Sequence, residues 1–222
     1  MLFGTPTYRY GVVLVLLAGF CWSSMGIGIR FIEVANVWQI LFYRSLALVP
    51  FLFLIIAARS GGKPFAVIRK CGLAGIIGAF ALVTAFFGGV FSIQATTVAN
   101  AMFLFAAAPF MAAFLGLFIL RERIRIATWW AMTFAMIGIG TMVWEGISMG
   151  RSSGNIAALI AALGFAVFTI ALRWRKMDDM LPTVFLAGIF AIIISAAVCN
   201  SAGYSLLLPA QDILIAALLG VF

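Results

Sequence analysis

The sequence predicts an all-α polytopic membrane protein, and three observations carry the prediction. Of 222 residues, 66% are hydrophobic and only 9% charged, whereas a soluble domain carries about a quarter charged residues. The apolar residues fall into seven long runs: 11–29, 37–58, 71–93, 96–120, 126–144, 154–172 and 181–199. Each is long enough to cross a bilayer as a helix, which takes roughly 17–25 residues. The basic residues gather in alternate connectors. In hydrocarbon a helix satisfies its own backbone hydrogen bonds, so the Ile/Val-rich pieces are helical and not open strands.

The first run follows Arg9 and begins GVVLVLLAGF. It has no A-x-A-like cleavage site and continues into WSSMGIGIRF, so it reads as a retained first helix and not a signal peptide. The second run contains Arg44, about 10 Å from its start at Val37 by the helical rise per residue. The third begins at Cys71. The fourth carries Pro109, which removes a backbone hydrogen bond and kinks a helix; it serves as a hinge for rocking or merely as shape. The fifth is Gly-rich, and the sixth and seventh are again almost unbroken. An eighth run starts near Asp212 and is still apolar at Phe222. It is too short to span, so the sequence is expected to be part of a longer chain.

The net charge of +8 comes from 14 basic and 6 acidic residues, with no histidine. With the N-terminus placed inside, 11 basic residues fall on inward connectors, and only Arg30 and Arg151 face outward. Arg44 is the remaining one and is intramembrane. This bias predicts a cytoplasmic N-terminus. It assigns the basic residues to topology and lipid headgroups, not to nucleic acid.

The chain repeats weakly. Aligning Gly11 with Gly154, an offset of 143, pairs Leu16 with Leu159, Ala18 with Ala161, Arg30 with Arg173 and Phe42 with Phe185. Five helices separate the two starts, so the second copy enters from the opposite side, as in inverted-repeat transporters. The expected units are 11–145, helices 1–5, and an incomplete 154–222, helices 6–8. A complete second unit would bring the total to ten helices.

Several chemistries are excluded. Without histidine there is no Ser-His or Cys-His catalysis and no H-E-x-x-H metal site. The acids Glu33, Glu122, Glu145, Asp178, Asp179 and Asp212 lie at helix ends or in connectors, leaving no intramembrane carboxylate pair. The stretch SGGKP at 60–64 lacks the spacing of a phosphate loop and reads as a turn. Cys21, Cys71 and Cys199 show no C-x-x-C spacing and read as small buried hydrophobes. No metal and no cofactor is expected, and the chain is not expected to be an enzyme.

Four stretches resemble the EamA-type drug/metabolite transporters: GFCWSS from Gly19, VWQILFYR from Val37, ATTVANAMFLFAAAP from Ala95, and LRERIR from Leu120 followed by MIGIGTMV from Met136. The resemblance covers 11–145 well and the rest through the repeat. It implies ten helices, both termini in the cytoplasm, a bacterial inner membrane, and a central cavity opened by alternating access for a small metabolite or drug-like solute. A membrane-embedded enzyme and a non-transporting membrane scaffold are the alternatives. The implied partners are a small-molecule solute and membrane lipids; assembly as a homo-oligomer stays open.

The candidate cavity residues are Trp22, Ser23, Ser24, Tyr43, Arg44, Asn100 and Phe165. Arg44 either pairs internally, with Glu145 or backbone carbonyls, or offers a fixed positive charge to an anionic solute. Its repeat equivalent is Ala187. Trp22, Ser23 and Ser24 correspond to Phe165, Ala166 and Val167, giving an aromatic on both sides. Ser hydroxyls also bond their own helix. Asn100 lies one turn inside its helix, and Gln94 at a solvated end. Pro109 and Glu122 are candidates for hinge and gate, Glu122 within a local cluster with Arg121 and Arg123. Gly75, Gly78, Gly88, Gly89, Gly138 and Gly140 are expected to permit close helix contact.

Overall fold

A computed structural model describes residues 8–122, 124–148, 152–176 and 179–221, with the side chains of 8–10 and 145–148 left aside. Ten helices occupy these residues: α1 (Tyr8–Arg30), α2 (Val37–Arg59), α3 (Pro64–Lys70), α4 (Gly72–Ala95), α5 (Val98–Phe105), α6 (Ala108–Ile119), α7 (Ile126–Ser148), α8 (Ser152–Trp174), α9 (Leu181–Ser201) and α10 (Ala210–Val221). Seven spans are long and apolar enough to cross a membrane, α5 and α6 together forming the fourth. The protein is an all-α polytopic integral membrane protein.

The fourth span is interrupted in its middle, between α5 and α6. A proline ring clashes with the carbonyl four residues earlier, which for Pro109 is that of Phe105. The α5 helix stops at Phe105, and Pro109 sits in the first turn of α6. Ala106 and Ala107 bridge the two with backbone bonds to Met102 and Leu104.

The SGGKP turn is a left-handed reversal, with φ of +60° at Gly61 and +82° at Gly62. Such values suit glycine, which has no Cβ to clash. Beyond the turn lies the short helix α3, begun by Pro64.

At the centre, α4 crosses α8 along small residues. A Cβ on Gly88 would stand 2.6 Å from the Ala157 carbonyl, and one on Gly164 equally close to that of Ala81. Backbones therefore touch in both directions, the close approach that drives helix association where lipid leaves no hydrophobic force. Of the glycines singled out above, Gly75, Gly78 and Gly88 meet neighbours. Gly89, Gly138 and Gly140 face open space, so close packing is not their role among the described residues.

Around this crossing α2 packs on α9 and α10, α9 on α4, α5 and α6 on α8, and α1 on α10 and α4. Displaced by 143 residues, α1 and α2 coincide with α8 and α9 to within one residue at each end. Exchanging α1 with α8, α2 with α9 and α4 with α10 maps the α4–α8 contact onto α10–α1, and the α2–α10 contact onto α9–α4.

Contacts between connectors sort them into two ends. At one end, Arg30 donates to the Thr96 carbonyl, and Gln39 Nε2 to the Ser205 carbonyl at 2.5 Å. Asp212, only 2% exposed, accepts from the backbone N–H of Val34 and Ala35, each at 3.1 Å. Asn36 and Gln39 close a reciprocal cap at the start of α2. At the other end, Arg173 binds Glu122 at 2.5 and 2.7 Å, and Arg59 lies 4.0 Å from Asp179. This second end also carries Lys63, Arg69, Lys70, Arg121, Arg125, Arg175 and Lys176, and is here called the basic end. Val13, Phe20, Trp130 and Phe134 are among the large apolar side chains left on the outside of the bundle, where lipid is the fitting solvent.

Candidate functional site

Two half-open hollows run along the bundle. The first, about 460 Å³, is walled by α1, α2, α4, α5 and α8, and reaches Ile93 and Val98 toward the end opposite the basic one. The second, about 430 Å³, runs on past Leu52 and Val184 to Met180 at the head of α9, near the basic end. Their walls share Trp22, Met25, Arg44, Leu82, Phe86 and Phe165. The two chambers thus border one shared waist, built from four helices.

Three aromatic rings gather on one side of that waist. Trp22 stands edge-on to Phe105 with centroids 5.7 Å apart, and 5.9 Å from Phe165; Phe105 and Phe165 close the triangle at 5.7 Å. Phe105 is delivered there because α5 ends at it. Trp22 lines the hollow and is half exposed.

On the other side lies Arg44, 9% exposed. Gly220 has no Cβ to hold α10 away, which brings that helix against the Arg44 backbone. Arg44 Nε then donates to the Leu219 carbonyl at 3.2 Å, while the guanidinium lies over the Phe86 ring, 4.1 Å from its centroid. Among the described residues Nη1 has no hydrogen-bond partner. The side chain of Glu145, the acid expected as its partner, lies outside the described ones. Of the two partners anticipated for Arg44, a backbone carbonyl is present.

The remaining candidates divide. Ser23 and Phe165 line the first chamber with Trp22 and Arg44. Ser24 Oγ instead donates to the Cys21 carbonyl of its own helix at 2.6 Å. The Tyr43 hydroxyl donates to the Leu206 carbonyl between α9 and α10, because Tyr43 projects from the neighbouring face of α2. Asn100 donates to Asn155, a fully buried residue of α8, and to Thr96 Oγ1 at 3.3 Å. It ties α5 to α8 rather than facing the chamber. Gln94 Nε2 reaches the Ala35 carbonyl at 3.2 Å.

Pro109 is exposed on α6, outside both chamber walls. Glu122 reaches beyond the local cluster anticipated for it. Its partner is Arg173 of α8, because the chain turns back at Arg121, with φ of +54°, and aims the carboxylate across the basic end. Arg123 lies outside the described residues.

Sequence reasoning did not single out Phe86, Phe105, Met25 or Asn155. Phenylalanines in a chain holding 22 of them carry no mark. Asn155 did carry one, as an amide inside an apolar run, the same signal that drew attention to Arg44.

The sequence matches the EamA-like transporter family over residues 9–144. Neither a curated protein nor a solved structure matches the chain.

Proposed function

The chain belongs to the EamA-like transporter family, within the drug/metabolite transporters, and from that premise we propose that it is a secondary transporter for a small metabolite or drug-like solute, working by alternating access across the bacterial inner membrane. One observation carries the reading: the two chambers border a shared waist of Trp22, Arg44, Phe86 and Phe165, one chamber reaching toward each end of the bundle. A solute held at the waist has a route toward either face. Rocking of the two inverted units opens one chamber while closing the other. The units are 11–145 and 154–222, supported by the coincidence of α1 and α2 with α8 and α9 and by the exchange of helix contacts described above.

The N-terminus is assigned to the cytoplasm, because the connectors of the basic end carry most of the positive charge. Glu122 and Arg173 tie the two units together at that end and form a gate, to be broken when the cytoplasmic side opens. Among the described residues the chamber walls hold one charged group, Arg44, and no acid, which supports binding and passage over catalysis. A scaffold would fill its centre with large apolar side chains, whereas a transporter has an open, partly polar one; the hollow beside Arg44 and Ser23 supports the second.

The test is transport itself. The full-length protein is screened by thermal shift against a metabolite panel, and stabilising compounds are then tested for flux in proteoliposomes. Saturable flux of at least one stabilising compound supports the proposal. Stabilisation without flux of any hit would refute transport and leave a binding protein.

A further inference from the structure

We infer that the waist binds a flat aromatic monoanion, a carboxylate or its equivalent carried on a fused or substituted ring, and selects it over the matching cation, zwitterion or neutral amide. The inference rests on the transport reading for its biological sense, but it concerns binding and is testable apart from it.

The charge argument comes first. Arg44 is nine-tenths buried and forms part of the wall of both chambers. A guanidinium has five N–H donors and is always protonated. Here Nε has a carbonyl, Nη1 has no partner, and one face rests on Phe86. No carboxylate lines either chamber among the described residues. A charge held in so apolar a place is costly until a counter-charge reaches it. Nη1 is itself buried, so a bound carboxylate neutralises the charge from the chamber side and takes a charge-assisted hydrogen bond from Nη1 once the side chain turns toward the hollow. A cation is repelled, and the ammonium of a zwitterion would be dehydrated without an acid to receive it.

Shape comes second. Trp22, Phe105 and Phe165 set their rings around one side of the same waist, with centroids 5.7–5.9 Å apart. Edge and face contacts of this kind suit a planar ring. Ser23 on α1 supplies a hydroxyl to the same chamber. Aromatic rings alone would also suit a cation, by attraction to their faces; the arginine decides against that. Arg44 is the one cation lining either chamber among the described residues, which suits a single anionic group.

The experiment uses the full-length protein in lipid nanodiscs and four probes: 2-naphthoate, 2-naphthamide, 2-naphthylmethylammonium and acetate. Isothermal titration is expected to rank naphthoate tightest, by roughly tenfold or more over the amide, with the ammonium probe and acetate weakest. Arg44→Gln should abolish the difference between naphthoate and naphthamide, and Arg44→Lys should keep part of it. Trp22→Ala should weaken both naphthyl probes while preserving the preference for the acid. Should Arg44→Gln fail to fold, the ranking on the wild type and the Lys variant still decide. Equal affinity for acid and amide, tighter binding of the ammonium probe, or no binding of naphthoate overturns the inference. Flux of labelled probes in proteoliposomes separates the two readings. Naphthoate that binds without crossing sinks the transport reading alone; a cation carried in its place sinks the anion inference alone.

Discussion

Asp212 places more backbone than any other single acid described. Its carboxylate gathers the N–H groups of Val34 and Ala35, with that of Glu33 at 3.4 Å, and so fixes the turn between α1 and α2 against the head of α10. The first turn of a helix also favours a negative charge. Hydrogen bonds to a charged group are worth about 1.5–3 kcal/mol each in folded proteins. Asp212→Ala is therefore expected to cost at least about 1.5–3 kcal/mol, read as a drop in thermal midpoint in detergent, with Asp212→Asn intermediate; an unchanged midpoint would contradict the assignment. The sequence places Asp212 at a helix start, but its three donors lie 177–179 residues away in the chain, a relation no local pattern encodes. Arg44 is the opposite case. Its oddity is plain in an apolar run, whereas its ring partner Phe86 is one phenylalanine among 22.

For the elements, hydropathy alone locates every span to within a few residues, because the bilayer imposes one length and one solvent on each helix. Contacts between helices are less legible. Gly138 and Gly140 look like packing glycines by spacing, yet a Cβ there meets nothing within 4 Å, whereas Gly88 and Gly164 bring α4 and α8 into backbone contact. Gly88→Val and Gly164→Val should each cost about 1–3 kcal/mol through overpacking. Gly138→Ala and Gly140→Ala should be neutral or stabilise by up to about 1 kcal/mol. Unfolding midpoints of the four variants check the contrast, and equal losses at all four would refute it. The Glu122–Arg173 pair, about half exposed on each side, is worth only ~0–1 kcal/mol of stability. Its removal should instead alter gating: Glu122→Gln is expected to leave the midpoint nearly unchanged while shifting alkylation of cavity cysteines toward the cytoplasmic side. An unshifted pattern would leave the pair a surface contact.

The whole molecule is ordered by charge, and the proposed repeat would order it a second time. The basic end and its opposite are separated by seven apolar spans, and the alternation of connectors follows from their number. The repeat is faint in the sequence because Ala and Leu recur in any membrane helix. The helix bounds support it, because one offset of 143 residues aligns the limits of α1 and α2 with those of α8 and α9 along the chain. A central cavity was expected from the resemblance alone; its shape as two chambers was not legible, since a hollow is defined by side chains from several helices that share no local signature. What was legible was the need for a reason behind Trp22 and Arg44, and both stand at the waist.

Alternating exposure of that waist is the central claim, and a single cysteine tests it most directly. Met25→Cys, in the full-length protein stripped of its native cysteines, puts a thiol at the waist itself, in the wall of both chambers. It is reacted with a membrane-impermeant maleimide in right-side-out and in inverted vesicles. The account predicts labelling from both faces, slowed from both by 2-naphthoate. Labelling from one face only, whatever solute is added, would contradict it.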